Sequence, residues 1–283
     1  MDIKHKYYQT NGIQLHVAEA GPQEGKTILF LHGFPEFWYG WKNQLKFFSE
    51  KGWHALAPDQ RGYNLSSKPE GVQSYTIDEL TKDIVELIPQ LTTEKMVLVG
   101  HDWGGGVAWN LALHHPQLFE KLVILNMPHP QVAHEHLTKN PKQMLRSWYA
   151  GFFQIPWIPE AVNSSFDFKV LESTLKGSAQ PDTFTKQDIE AYKEAWKQPG
   201  AMQAMINWYR AYKDNKIEAD HQVDVPTLML WGKQDQFLGT EMALPSIEQC
   251  TNGQLFFLEN ATHWVHHEQP DKVNAWMENF LKA

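Results

Sequence analysis

Residues 100–106 read GHDWGGG and directly follow the apolar run Met96, Val97, Leu98, Val99. Small residues two places before and two places after a central polar one let the backbone turn sharply from a buried strand into a helix. The central side chain is then pushed out at the top of the sheet. Gly100 and Gly104 are the small residues, and Asp102 is the central one. A carboxylate in that place attacks carbon and becomes an ester that must be hydrolysed, which is different chemistry from acyl transfer by a serine. Aspartate is also a favoured helix N-cap, where the dipole keeps it ionised, so the cap and the nucleophile readings are compatible. No serine in the chain has glycines at both flanking positions.

Outward from this turn, short apolar runs recur at Ile28–Leu31, Ala55–Ala57, Leu122–Leu125, Leu228–Leu230 and Leu255–Leu258. Runs without period-two alternation read as strands buried on both faces, as in a parallel sheet. Helical patterns lie between them. The clearest starts at Thr76, with Glu79 completing a capping box, and carries Ile77, Leu80, Ile84, Leu87, Ile88 and Leu91 on one stripe. Strands alternating with helices imply an α/β fold with a mostly parallel sheet flanked by helices.

The alternation stops after about Met127 and resumes near Val225. In between are helical stripes such as Leu145, Trp148, Tyr149, Phe152 and Met202, Met205, Ile206, Tyr209. We therefore expect a core of residues 1–127 and 221–283 with a helical lid, 128–220, inserted over the crevice where such sheets bind ligands. No Pro/Gly/Ser-rich linker, internal repeat or low-complexity tract divides the 283 residues.

Composition narrows the partners. A formal net charge of −8, with no run of five like charges, disfavours nucleic acid or an anionic membrane and points to a small molecule. Twelve tryptophans and fifteen phenylalanines suit an enclosed apolar pocket. The single cysteine, Cys250, excludes an intramolecular disulfide. With no signal-peptide apolar region in MDIKHKYYQT and no membrane-length apolar stretch, a cytoplasmic location is expected.

A carboxylate nucleophile needs a base to activate water and a group to orient that base. His263 follows the last strand run in ENATHW, and Asp235 follows Leu228–Leu230 in WGKQDQF. The order nucleophile, acid, histidine is that of the α/β-hydrolase triad, each member on a loop after a strand. After Ile28–Leu31 comes HGFPE, where Gly33 permits close backbone approach. The backbone N–H of Phe34 can there form an oxyanion hole with that of Trp103. The same residues would also make an ordinary tight turn. His134 with His136, and His266 with His267, form no set of three with an acidic partner and read as solvated, so neither metal nor cofactor is expected. GHDWGGG matches no nucleotide-binding glycine loop.

Taken together, HGFPEFWYGW, PDQRGYNLSS, GHDWGG, NWYRAY and the terminal THW loop resemble the epoxide hydrolases of the α/β-hydrolase superfamily. The resemblance covers nearly the whole chain. It implies that Asp102 opens an epoxide while two lid tyrosines, Tyr149 in SWYAGFFQ and Tyr209 in NWYRAY, donate to its oxygen. Each tyrosine sits on the apolar stripe of its helical pattern, so an inward phenol needing a partner agrees, as does a core tyrosine bonded to backbone. Pro35, Trp38, Met127, Trp148 and Phe152 are expected to line the pocket for a small hydrophobic epoxide and water, with Glu36 a candidate for holding that water. Dehalogenases share the Asp nucleophile. Haloalkane dehalogenases often place an asparagine near the HG motif, where this chain has Phe34, and fluoroacetate dehalogenases usually carry arginine where Trp103 stands. A non-catalytic ligand-binding protein on the same fold is the alternative of another class.

Overall fold

The computed structural model describes residues 2–215 and 222–283. Eight strands form one sheet: β1 (Lys4–Thr10), β2 (Ile13–Ala20), β3 (Thr27–Leu31), β4 (His54–Pro58), β5 (Met96–His101), β6 (Phe119–Leu125), β7 (Thr227–Gly232) and β8 (Gly253–Leu258). Their spatial order is β1-β2-β4-β3-β5-β6-β7-β8. The first two strands are antiparallel to each other, β2 is antiparallel to β4, and every later pairing is parallel.

Each of the six apolar runs lies within one of β3 to β8. Along the central strands, residues alternate between two cores. Leu29, Leu31, Leu98, Leu122 and Ile124 face one, and Ile28, Phe30, Val97, Val99, Val123 and Leu125 face the other. Helices cover both faces, so neither set of side chains meets water. The last run departs from expectation. β8 closes the sheet as an edge strand, and its Phe256 is exposed and stacks on Trp276 with ring centroids 5.2 Å apart. The β1–β2 hairpin turns at Asn11 and Gly12, with φ of +44° and +73°, the left-handed pair that matches strand twist in a two-residue turn.

The helices are α1 (Lys42–Glu50), α2 (Ile77–Leu91), α3 (Trp103–His114), α4 (Pro130–Lys139), α5 (Pro141–Arg146), α6 (Trp148–Phe152), α7 (Ile158–Ser178), α8 (Lys186–Trp196), α9 (Ala201–Ala211), α10 (Ala243–Ile247), α11 (Val265–Glu268) and α12 (Pro270–Lys282). The apolar stripe of α2 packs as its spacing predicts, but its capping box does not form. The Thr76 hydroxyl donates instead to the Gln73 carbonyl, at 3.4 Å, and the first helical N–H, that of Ile77, donates to Asn215 Oδ1 at 3.0 Å.

Helices α4 to α9 occupy the interval between β6 and β7, and the expected lid boundary at residues 220 and 221 lies outside the described residues. One expected stripe does not form. Ser147 separates α5 from α6, so Leu145 and Trp148 do not share the inward face of Tyr149 and Phe152; they are 76% and 66% exposed. In α7 the helical backbone is interrupted from Ser165 to Phe168, where Phe166, Asp167 and Phe168 have φ of +49°, +55° and +60°. No helix among the described residues is long and apolar enough to cross a membrane.

Candidate active site

The turn from β5 into α3 is as tight as the glycines suggest. A Cβ on Gly100 would lie 2.5 Å from the Gly104 carbonyl oxygen, and one on Gly104 would lie 2.2 Å from the Leu31 carbonyl oxygen. Asp102 itself takes φ +49°, ψ −126°, a conformation that costs a non-glycine residue free energy and is held by the packing around it. Its side chain caps no helix N–H. Instead Oδ1 accepts a hydrogen bond of 2.9 Å from the Phe34 N–H. Gly33 makes this possible, since a Cβ there would fall 2.4 Å from that of Asp102.

The other carboxylate oxygen, Oδ2, lies 3.4 Å from His263 Nε2. Across the ring, Nδ1 of His263 is 2.8 Å from Asp235 Oδ2. Asp235 is held by the N–H groups of Phe237 and Leu238, at 2.8 and 2.9 Å on Oδ1. Asn126, a residue that the sequence reading passed over, donates its amide to Asp235 Oδ2 at 2.7 Å and accepts from the Gly232 N–H at 3.2 Å. It follows β6 directly with φ of +44°.

Burial alone would push the Asp102 carboxyl up, but the hydrogen bond and charge of His263, with the charge of His101 and the Phe34 N–H, bring it below its ordinary value. For His263 burial pulls the other way, and the charges and hydrogen bonds of Asp235 and Asp102 raise it to about 10. The resting site therefore holds an ion pair. Because the folded value stands above the ordinary 6.5, the charge on His263 contributes stability that is fully present below about pH 6.5, as long as Asp102 stays ionised, and is lost as pH rises through about 10. An NMR titration of the labelled imidazole should give a midpoint well above 6.5, and Asp102→Asn should lower it. An unchanged midpoint in that variant would show that Asp102 does not hold the charge on His263.

Two cavities of about 170 and 520 Å³ meet at this centre, and Asp102, Tyr149 and Tyr209 line both. The smaller is walled by Met127, Leu137, Leu238 and Met242; the larger by Pro35, Trp148, Phe152, Phe237 and Trp264, with His263 at its base. The two tyrosine rings lie 5.9 Å apart; among the described residues the Tyr149 hydroxyl has no hydrogen-bond partner, and the Tyr209 hydroxyl is met by the Trp103 indole N–H, which leaves its own proton free to donate. Burial first, then the nearby Asp102 charge for Tyr149 and the Tyr149 ring and Asp102 for Tyr209, push both phenols up, so both stay protonated donors. Of the expected lining residues, Trp38 is misplaced. It lines neither cavity and packs against the ring of His5, 5.2 Å away, because the turn after HGFPE carries it away from the nucleophile. The Trp103 N–H, first in α3, has no partner among the described residues.

Glu36 also sits elsewhere than expected. It is buried, lines neither cavity, and its Oε1 accepts from the Tyr192 hydroxyl and from His267 Nε2, both at 2.6 Å. His266 Nε2 and His101 Nδ1 each lie 3.2 Å from Oε2. Burial raises this carboxyl, and the surrounding histidines bring it well below its usual range. His266 and His267 are thus not solvated, and with Glu36 they do form a convergent set of three, with ligand-type atoms within 4.8 Å of one another. Their spacing is that of hydrogen-bonded partners. His101 links this cluster to the site by donating from Nε2 to the His263 carbonyl at 2.9 Å.

An eight-stranded, mostly parallel sheet with an acidic residue at a strand-to-helix turn, paired with a histidine and a second aspartate, defines a hydrolase of the α/β type. A family model described as alpha/beta hydrolase fold matches residues 26–270. The chain is 49% identical over 281 residues to the AB hydrolase superfamily protein YfhM of Bacillus subtilis, covering 99% of this chain and 98% of that protein. It is 40% identical to human epoxide hydrolase 4, over 96% of this chain and 76% of that one. A crystal structure of Bacillus megaterium epoxide hydrolase with an inhibitor superposes with a TM-score of 0.89 at 33% identity, covering 98% of this chain and 100% of that one. The chain belongs to the epoxide hydrolases of the α/β-hydrolase family.

Proposed function

We propose that this enzyme hydrolyses epoxides to vicinal diols through an ester on Asp102, and that residues 128–220 act as the lid over the reaction. One observation carries the reading: a carboxylate held below its ordinary value and two phenols with protons free to donate line the junction of the same two apolar cavities. Oδ1 of Asp102 is tied to Phe34, which leaves Oδ2 to attack an oxirane carbon. As the C–O bond breaks, the new alkoxide takes a proton from Tyr149 or Tyr209. Both phenols can reach an oxygen at the junction of the two cavities.

Esterification removes the charge of Asp102, and with it much of what keeps His263 protonated. The imidazolium proton then restores the tyrosine. Neutral His263, oriented by Asp235 and Asn126, deprotonates a water that attacks the ester carbonyl. Oδ1 becomes the oxyanion in this step on the Phe34 N–H, with the Trp103 N–H, which has no partner among the described residues, assigned as the second donor. Collapse releases the diol, returns the carboxylate and leaves His263 protonated as at the start.

The scheme draws only on water and side chains of the chain. Two apolar cavities flanking the nucleophile suit an epoxide with an apolar substituent on each side. Purified enzyme should convert styrene oxide or an aliphatic epoxide to diol with saturation kinetics, and should release no halide from 1-bromobutane or fluoroacetate. Halide release without diol formation would replace this reading by a dehalogenase; saturable binding without product would make the chain a binder.

A further inference from the structure

Of the thirteen large hydrophobic residues exposed on the described chain, nine fall within residues 144–170. They are carried by α5, α6, the connection to α7, and α7 itself. Trp157 and Phe166 are 79% and 89% exposed, more than any other of the thirteen. Phe166 is held out by the left-handed interruption of α7, a conformation that bulky residues seldom keep without a reason. Exposed apolar residues at this density mark an interaction surface.

Position and charge say what the surface meets. Leu145, Trp148, Val162 and Val170 belong to the exposed set and also line the larger cavity, so the apolar surface is the rim of the entrance to Asp102. Ile158 stands one helical turn before Val162, extending the rim outward. Residues 139–176 carry five basic side chains (Lys139, which pairs with Glu135 just before this stretch, and Lys142, Arg146, Lys169 and Lys176) and three acidic ones (Glu160, Asp167, Glu172), so that with Glu135 counted the local balance is +1 within a chain of −8. All three acids are paired, with Arg210, with Lys193 and Lys197, and with Lys169 and Lys193 respectively. Lys142, Arg146 and Lys176 have no acidic partner among the described residues. Whole-chain charge, which disfavours an anionic membrane, hides this local excess.

We infer that the rim of the larger cavity docks on an anionic lipid bilayer, with Trp157, Ile158 and Phe166 entering the headgroup boundary and the free basic side chains facing lipid phosphates. Aromatic side chains beside lysine and arginine are the usual composition of surface-bound amphipathic segments. An entrance seated there receives apolar epoxides from the phase in which they dissolve. That last step rests on the epoxide reading. The docking itself does not, and its binding measurement needs no turnover; only the folding control does.

The test is co-sedimentation of the full chain with vesicles of 30% phosphatidylglycerol in phosphatidylcholine, against vesicles of phosphatidylcholine alone. We expect binding to the anionic vesicles that weakens severalfold in 1 M salt. Trp157→Ser with Phe166→Ser should weaken it at least about tenfold, and so should Lys142→Glu with Lys176→Glu, which add like charge to the face. None of these four residues lines a cavity, so hydrolysis of a water-soluble epoxide should stay at the native rate and report intact folding. Absence of native binding, or equal binding by the variants, would overturn the proposal. So would a concentration-dependent dimer in lipid-free sedimentation that Trp157→Ser with Phe166→Ser abolishes, since the rim would then be covered by a second copy.

Discussion

His263→Gln should open an epoxide once and then stop. The first step needs the Asp102 carboxylate and the tyrosine protons, all of which remain in the variant. The second needs a base on the water, and glutamine is none. Removal of a general base costs about 10²–10⁴-fold in the step it serves, so steady-state turnover should fall by at least about a hundredfold while Asp102 accumulates as ester. Intact-protein mass spectrometry after incubation should show one substrate mass added, and digestion should place it on the peptide containing Asp102. Substrate recovered wholly unattached would mean that water attacks the epoxide directly, and the two-step scheme would fail. The variant also loses the resting ion pair with Asp102, 3.4 Å away. Its carboxylate is then less restrained, so single-turnover ester formation should persist.

The second large effect belongs to the tyrosines. Tyr149 and Tyr209 line both cavities with rings 5.9 Å apart, and either hydroxyl can reach an oxygen held between them. Single Phe substitutions should therefore slow ring opening about tenfold or less, and the double substitution by about 10³–10⁴-fold, more than the product of the singles. Stopped-flow quenching of tryptophan emission, with Trp103 5.0 Å from the Tyr209 ring, can follow the single turnover. A double variant that forms the ester at the native rate would remove both phenols from the reaction. Because both phenols are pushed above their ordinary values, the native ring-opening rate should show no loss from tyrosine ionisation up to about pH 10.

Much of this was legible from residue types and order alone, and what was missed shares a cause. Asp102, Asp235 and His263 each follow an apolar run, so local pattern places them at one edge of the sheet, and their meeting needs only parallel strands. The N-terminal hairpin escaped because β1 is largely exposed and carries no apolar run, although Asn11-Gly12 ahead of the alternating Ile13, Leu15, Val17 is a hairpin signal. Glu36 and His267 are 231 positions apart, and nothing local in either segment announces that they share a hydrogen bond. Asn126 offered a fainter cue, a polar residue ending the run Leu122–Leu125. The error over Leu145 and Trp148 is one of periodicity. Their spacing fits a single helix, and only the break at Ser147 turns them outward.

The bond between the Phe34 N–H and Asp102 Oδ1 has one more consequence. A serine enzyme at rest leaves its anion-binding niche vacant, open to any acetate or chloride that drifts in. Here the nucleophile is its own tenant. A small anion must displace a covalently tethered carboxylate and endure its repulsion, so buffer anions should inhibit poorly at this point.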